Sequence, residues 1–469
     1  MTAPLVATPD IYGRALDARD VRFDGVFFVG ITTTGIYCRP ICPARISDQR
    51  RRRFFPSAAA AERAGFRPCL RCRPELAPGR GPVDAVSRLA HAAAQRIAAG
   101  ALNGRSVADL AGELDVSERH LRRVLEHVIG ATPVELALTH RLLLAKRLLT
   151  DTALPITRIA YASGFQSLRR FNTAFRQRYR MAPSAMRRPR AQRDTTAPDA
   201  TLHLTLAYRP PLAWEMLLDA MRADQLPGVE VVDRARYART VSIGNHSGAM
   251  AVTHDPARAF IAVELSTSLL PVLMPLLARI RHLFDLDSEP AVIERDLGEA
   301  GLEIRVSGLR IPGEMEGFDA VLRVIGGSEL PALIETFGAP AEFDVPGLTH
   351  FVPTAARIAE AGEPGLRAAG MSGGRAQALA VIARLVATGE LRLVPGADPE
   401  ATGRRLLSIP GVDAATASAI VSRALSWPDA FHAGDPDAIA RAERWRPWRA
   451  YARRHLDANR LPDSRAATG

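Results

Sequence analysis

The sequence predicts a multidomain α+β protein. Three observations carry that prediction. All four cysteines fall between positions 38 and 72, two similarly punctuated helical units follow within 83–190, and short β-rich runs begin near 202 before helical periodicity returns near 316. At 469 residues the chain is long enough for roughly three domains of about 150 residues each. Its 47% hydrophobic and 24% charged residues describe a packed protein and exclude a mainly disordered one. The longest apolar runs, such as 269–277, fall far short of the ~20 residues of a membrane span. The start, MTAPLVATPDIYGR, lacks a basic segment followed by an apolar core, so no secretory signal is expected. So few cysteines do not build a disulfide-held secreted protein, and the expected home is the reducing cytoplasm.

Charge is uneven along the chain. Residues 1–190 hold 32 Lys and Arg against 15 Asp and Glu, a net of +17, whereas 191–469 hold 29 against 35, a net of −6. A basic first part points to a polyanion, most simply double-stranded DNA, and to no membrane. Lys146 is the sole lysine. The arginine bias fits a GC-rich genome as well as phosphate and guanine recognition, and it continues into the acidic half.

The cysteines are spaced Cys38-x3-Cys42, then 26 residues, then Cys69-x2-Cys72. Two close pairs separated by a loop supply four thiolates to a tetrahedral Zn²⁺. Taken alone, such a site fits a structural zinc knot as well as a reactive centre. The flanking runs TTTGIYCRPICPAR (32–45) and AGFRPCLRCRPE (64–75) resemble the N-terminal domain of Ada-type DNA methylphosphotriester repair proteins, over roughly residues 10–78. The resemblance implies that Cys38 takes a methyl group from a methylated DNA phosphate. It also implies that Cys42, Cys69 and Cys72 complete the zinc site and that Thr34, Arg45 and Arg67 contact the phosphate. Four thiolates around Zn²⁺ carry a formal charge of two negative, so methylating Cys38 removes one unit of repulsion and strengthens DNA binding. Arginines 50–53 are expected in the loop between the ligand pairs, as a solvated stretch or, beside this site, a phosphate grip.

Residues 83–190 read as all-α. SVADLAGELDVSERHLRRVLEHVIG (106–130) and PITRIAYASGFQSLRRFNTAFRQRYRMAP (155–183) each give a short helix, a turn and an arginine-studded helix. Ser117 is the expected N-cap of the first such helix, without a capping box. Gly164 gives the second turn, and a basic helix begins near Ser167. A helix over 137–149 bridges the units. This doubled plan resembles the AraC-type DNA-binding domain over about 85–185, and the groove-facing candidates are His120, Arg123, Gln166, Ser167, Arg169 and Arg170. An ordinary helical bundle with a solvated arginine face is the structural alternative.

RRPRAQRDTTAPDA (187–200) reads as a linker. Beyond it, LHLTLAY, VEVVD, ARTVSI and FIAVEL are expected strands, with helices over 211–223 and about 267–284, giving an α+β domain. Farther on, LLSIPGVDAATASAIVSRAL (406–425) fits a helix-hairpin-helix, whose turn offers backbone N–H groups to a phosphate. With DAFHAGD (429–435), AERWRPWRAYARRHL (442–456) and GLRIPGEMEGFDAVLRVI (308–325), the span 200–456 resembles AlkA-type alkylbase DNA glycosylases. That resemblance implies release of alkylated bases of the 3-methyladenine type, with Asp435 as the carboxylate that stabilises the cationic sugar. On its residues alone Asp435 reads as a helix cap after Gly434. The chain departs from the family at three places. Gly411-Val412-Asp413 replaces Gly-hydrophobic-Gly, which calls for φ > 0 at Asp413 and turns a carboxylate toward phosphate. In the same hairpin Ala415 stands at a family tryptophan; elsewhere 324–338 is shortened, and PDAIARAERW follows Asp435 at once.

The expected modules are thus a small zinc-binding α/β domain (1–78), an all-α double helix-turn-helix (83–190), a strand-rich α+β domain (200–310) and a shortened all-α helix-hairpin-helix domain (311–460). The expected function is irreversible methyl transfer to Cys38 coupled to promoter binding and transcription activation with RNA polymerase as partner, plus alkylated-base release. The alternatives are a methyl-sensing activator with a decayed glycosylase, or a zinc-stabilised AraC-type factor without enzyme activity. With no fifth cysteine, reversal of guanine O6 damage is not expected.

Overall fold

The computed structural model describes residues 9–44, 49–79, 85–187, 201–431 and 436–460. By contact the chain falls into two compact units. One comprises Met1–Arg209, Ile243–Gly248 and Asp255–Ala278; the other comprises Pro210–Ser242, Ala249–His254 and Arg279–Gly469. Among the described residues no single helix is long and apolar enough to cross a membrane.

In the first unit, helix α1 (Pro9–Asp17) precedes strands β1 (Phe28–Ile31), β2 (Ile36–Cys38) and β3 (Arg52–Phe55), helix α2 (Ala58–Arg63) and strand β4 (Arg67–Pro68). The strands form one sheet in the order β3-β1-β2-β4. Strand β1 runs antiparallel to β2, with Gly30 opposite Tyr37, while β2 and β4 are parallel, with Tyr37 opposite Pro68. The alternation of β1 fills two cores. Val29 and Ile31 join Phe27, Leu16 and the four cysteines on one face, and Phe28 joins Tyr37, Phe55 and Phe66 on the other. The arginine run does not form one loop. Arg50 and Arg51 end a 3₁₀ turn, but Arg52 and Arg53 begin β3. The pleat then separates them: Arg52 turns in to Asp17 at 2.8 Å, and Arg53 lies over the Phe55 and Phe66 rings.

The helical part follows as α3 (Ala85–Ala98), α4 (Val107–Glu113), α5 (Glu118–Val128), α6 (Pro133–Asp151), α7 (Ile156–Ala162) and α8 (Leu168–Tyr179). Ser117 and Ser167 cap α5 and α8. The bridging helix α6 begins four residues before the expected 137, because Thr132 and Glu135 form a capping box with Pro133 in the first turn. Gly164, at φ +83, makes the second helix-turn-helix turn, and Asp115, at φ +54, makes the first. Phe171, Phe175 and Tyr179 repeat every four residues along α8 and stack inward, with the Tyr179 hydroxyl donating to the Leu142 carbonyl at 3.1 Å. Two further strands of this unit, Thr201–Ala207 and Phe260–Ser266, pair antiparallel over their full lengths.

The second unit combines an antiparallel pairing of Glu230–Val232 with Tyr237, Ala238 and Arg239 and a helical core built on Leu322, Leu379, Ile382 and Ile420. Buried Glu230 ties strand to helix through Arg239 (3.2 Å), Arg323 (2.7 Å) and the Tyr237 hydroxyl (2.7 Å). Burial raises the Glu230 carboxyl, but Arg323 and Arg239 overcome it and hold the group down at about 2. The strand His246–Asp255 was not expected, since its run HSGAMAVTHD is poor in β-branched residues. The shortened 324–338 segment appears as the end of helix Gly317–Gly326, one 3₁₀ turn and helix Leu330–Phe337.

The hairpin joins helices Pro399–Leu407 and Ala414–Leu425. The expectation for Asp413 was wrong. Gly411 takes the positive φ (+86), while Asp413 is extended (φ −90) and accepts the Thr416 amide at 2.7 Å as N-cap. Glycine at 413 would therefore relieve no strain. Asp413→Ala is expected to destabilise this unit by about 1 kcal/mol through loss of the cap; a denaturant midpoint equal to or above the wild type's would contradict this.

Candidate metal centre and nucleic-acid interface

The parallel register of β2 and β4 assembles the metal site. Cys38 ends β2 and Cys69 directly follows β4, so the two ligand pairs meet at one edge of the sheet. The Cys69 amide donates to the Tyr37 carbonyl at 3.0 Å and continues the ladder to the ligand itself. The four Sγ atoms of Cys38, Cys42, Cys69 and Cys72 all lie within 4.8 Å of one another. Each residue is at most 8% exposed. Four buried sulfurs at this separation fit a tetrahedral Zn²⁺, with its four thiolate bonds of about 2.3 Å. Hydrogen bonding from Cys42, then the other two sulfurs and burial, push the Cys38 thiol up, while its contact pulls Cys42 down to about 7. A divalent cation is what lets all four share this volume as thiolates.

Exposure does not distinguish the four sulfurs, but hydrogen bonding does. The Arg39 amide donates to Cys72 Sγ and the Arg71 amide to Cys69 Sγ, both at 3.3 Å, and an amide bond from Ala44 reaches Cys42. Among the described residues none supplies a backbone N–H to Cys38. An amide donor withdraws electron density from a thiolate, so Cys42, Cys69 and Cys72 are each made less nucleophilic by the bond they accept.

Three supports of the site were not anticipated in the sequence. The Arg39 side chain forms a buried pair with Asp24 and donates to the Cys72 carbonyl at 3.2 Å, pinning the second ligand pair. Lys146, 1% exposed on α6, donates to the Cys69 carbonyl at 3.1 Å and to Glu75 at 2.5 Å. Arg73 links Glu75 (3.0 Å) to Asp151 (2.7 Å). A lone lysine inside LLLAKRLL was the signal available for the second of these. The zinc module and helices are further joined by Ala59 of α2, which sits in the core of α3, α4 and α5.

Thr34 is exposed in the β1–β2 turn, and Arg67 lies beside it, its amide donating to the Gly35 carbonyl at 2.8 Å. These two phosphate candidates are therefore brought together. Arg45 lies outside the described residues. On α5, Arg123 is exposed and reaches the Nδ1 of half-buried His120 at 3.2 Å. At the start of α8, Gln166, Arg169 and Arg170 are exposed, whereas the Ser167 hydroxyl is turned back to cap its own helix.

In the second unit Asp435 also lies outside the described residues. The nearby ERWRPWR motif is structural. Asp429, buried, binds Arg446 at 2.5 Å and Arg449 at 2.7 Å, and Trp445 and Trp448 pack with Ile293 and Leu297. The Trp448 indole donates to Asp296 at 3.0 Å.

Models of three domain families match the chain: the metal binding domain of Ada over residues 12–75, a helix-turn-helix domain over 110–189 and the AlkA N-terminal domain over 203–316. The chain is 34% identical over 475 residues to the probable bifunctional transcriptional activator/DNA repair enzyme AlkA of Mycobacterium tuberculosis, covering 94% of this chain and 95% of that protein. It is 32% identical over 272 residues to DNA-3-methyladenine glycosylase 2 of Escherichia coli K12, covering 54% of this chain and 95% of the other. Similarity at 29% over 184 residues extends to the bifunctional transcriptional activator/DNA repair enzyme AdaA of Bacillus subtilis, covering 39% and 84%.

Proposed function

The chain belongs to the family of bifunctional transcriptional activators and DNA repair enzymes that includes its full-length mycobacterial relative, and on that premise we propose that it joins methyl removal from DNA phosphates, promoter activation and alkylated-base release in one polypeptide. The observation that carries the first activity is the buried four-sulfur cluster in which Cys38 alone, among the described residues, lacks an amide donor. Zinc in the site keeps the thiols ionised at neutral pH. The Cys38 sulfur attacks the methyl carbon, an S–C bond forms, and the C–O pair leaves with the phosphodiester anion. That leaving group needs no proton. Thr34, Arg67 and Arg45 are assigned to hold the phosphate, which supplies charge complementarity along the attack line.

The transferred methyl stays on Cys38, so the reaction is single-turnover and reports damage. His120 and Arg123 of α5, and Gln166, Ser167, Arg169 and Arg170 at the N-terminal end of α8, are assigned to successive major grooves. RNA polymerase is the proposed partner of the promoter-bound form, and the cytoplasm its place of action. The proposed modules run 1–78, 83–190, 200–310 and 311–460, supported by the matched spans 12–75, 110–189 and 203–316.

For the second activity, Asp435 is assigned to stabilise the cationic sugar left as the alkylated base departs. One observation favours a second reading, a methyl-sensing activator whose glycosylase half is silent: the Asp413 carboxylate already occupies the Thr416 amide at the helix N-terminus where a phosphate would bind. One experiment decides both questions. The full chain is incubated with methyl-labelled alkylated duplex, and labelled residues and released bases are mapped together. Label on Cys38 and free 3-methyladenine are expected. Asp435→Asn should lower base release on the order of 10²-fold or more while leaving methyl uptake intact. No release from the wild type would establish the second reading, and release unchanged in Asp435→Asn would move the role to another carboxylate.

A further inference from the structure

Glu62, on α2 of the zinc module, is fully enclosed between three elements. One carboxylate oxygen accepts the Tyr37 hydroxyl at 3.0 Å, and Tyr37 is the β2 residue immediately before Cys38. The other accepts Thr139 Oγ1 of α6 at 2.5 Å and pairs with Arg178 of α8. The methyl-acceptor strand and the second recognition helix thus share a single buried carboxylate.

The arrangement is not ordinary packing. Tyr37 has no exposed surface, the Glu62 side chain is 1% exposed, and the Arg178 side chain is one-fifth exposed. Burying a carboxylate is costly unless its oxygens are paired, and here the partners come from three different elements, β2, α6 and α8. Thr139 and Lys146 lie seven residues apart on one face of α6 and receive Glu62 and Glu75, the two acidic groups this module buries against the helices. Strand β4, which carries the chain into Cys69, also packs along α8. A shift of β2 at Cys38 therefore cannot be absorbed by solvent. It passes through the Tyr37 hydroxyl to Glu62 and so to Arg178.

We propose that Glu62 is a positioning residue that relays the state of the Cys38 strand to the second recognition helix, so that methylation alters DNA binding through the seating of α8 as well as through the lost charge. This deepens the methyl-acceptor reading given above and rests on it for the role of methylation. The link itself does not depend on methyl transfer.

The test uses the zinc-loaded full chain as wild type, Tyr37→Phe, Glu62→Gln and the double variant. Amide hydrogen exchange is read over Leu168–Tyr179, before and after incubation with a duplex carrying a methylphosphotriester. Tyr37→Phe removes one hydroxyl and keeps the ring in its core, so it guards against a Glu62→Gln variant that fails to fold. Each single variant is expected to speed exchange in α8 by about fivefold, and the double variant no more than either single. Methyl uptake should remain within about twofold of the wild type, and the methylation-dependent change in α8 exchange should shrink toward none. A merely structural Glu62 would raise exchange equally before and after methylation and leave that change intact, which overturns the proposal. Unaltered α8 exchange in Tyr37→Phe overturns it irrespective of Cys38. Coupling between Tyr37 and Glu62 without any methyl on Cys38 would keep the mechanical link and refute the methyl-acceptor reading instead.

Discussion

Cys38→Ser is expected to lower methyl uptake from methylphosphotriester DNA on the order of 10³-fold or more, in line with removal of a positioned nucleophile. A serine hydroxyl is not ionised as a thiolate is, and its oxygen is a poorer nucleophile toward methyl carbon. The three remaining sulfurs do not substitute. Cys69 and Cys72 each accept a backbone amide at 3.3 Å, and Cys42 accepts one from Ala44. The check is peptide mapping of labelled methyl in wild type and variant, with zinc content measured beside it. Methyl found on Cys69 or Cys72 would refute the assignment.

Stripping zinc, or replacing a ligand as in Cys42→Ala, is expected to unfold the β1–β4 sheet. Structural zinc contributes roughly 10–16 kcal/mol in small modules at neutral pH, more than a core of this size supplies. Four cysteines are themselves part of one of its two small cores. The damage should extend into the helices of the same unit. Release of Cys69 frees the carbonyl that holds Lys146, and melting of α2 withdraws Ala59 from the α3–α5 core. Zinc analysis with amide exchange across residues 9–187 tests this. A metal-free protein that retains protection in β1 and β2 would contradict it.

The ligand set was readable because zinc sites are built from closely spaced pairs. Cys38-x3-Cys42 and Cys69-x2-Cys72 need only two tight turns, and turns are local. The doubled helical plan was readable for the same reason. Ser117 and Ser167, 50 residues apart, each satisfy amides of their own helix within three residues. Length was less legible: the Thr132–Glu135 box extends α6 beyond its apolar pattern, and a strand as poor in β-branched residues as His246–Asp255 carries almost no propensity signal.

What the tertiary structure alone decided is which buried charges meet. Arg39 finds Asp24, Lys146 finds Glu75, and Glu62 gathers Tyr37, Thr139 and Arg178 from positions 25, 77 and 116 residues away. In the sequence each is one more polar or ionisable residue, and apart from Lys146 inside LLLAKRLL nothing in its neighbours marks it as buried. Asp413 makes the same point in reverse. Its place in a glycine-rich turn suggested strain, yet Gly411 takes the left-handed conformation and leaves Asp413 to cap a helix. Sequence fixes interactions that close within a turn or two of chain, through ligand spacing, caps and period. A buried carboxylate is stabilised only by partners that folding brings from elsewhere, so its role exists only once the chain is packed.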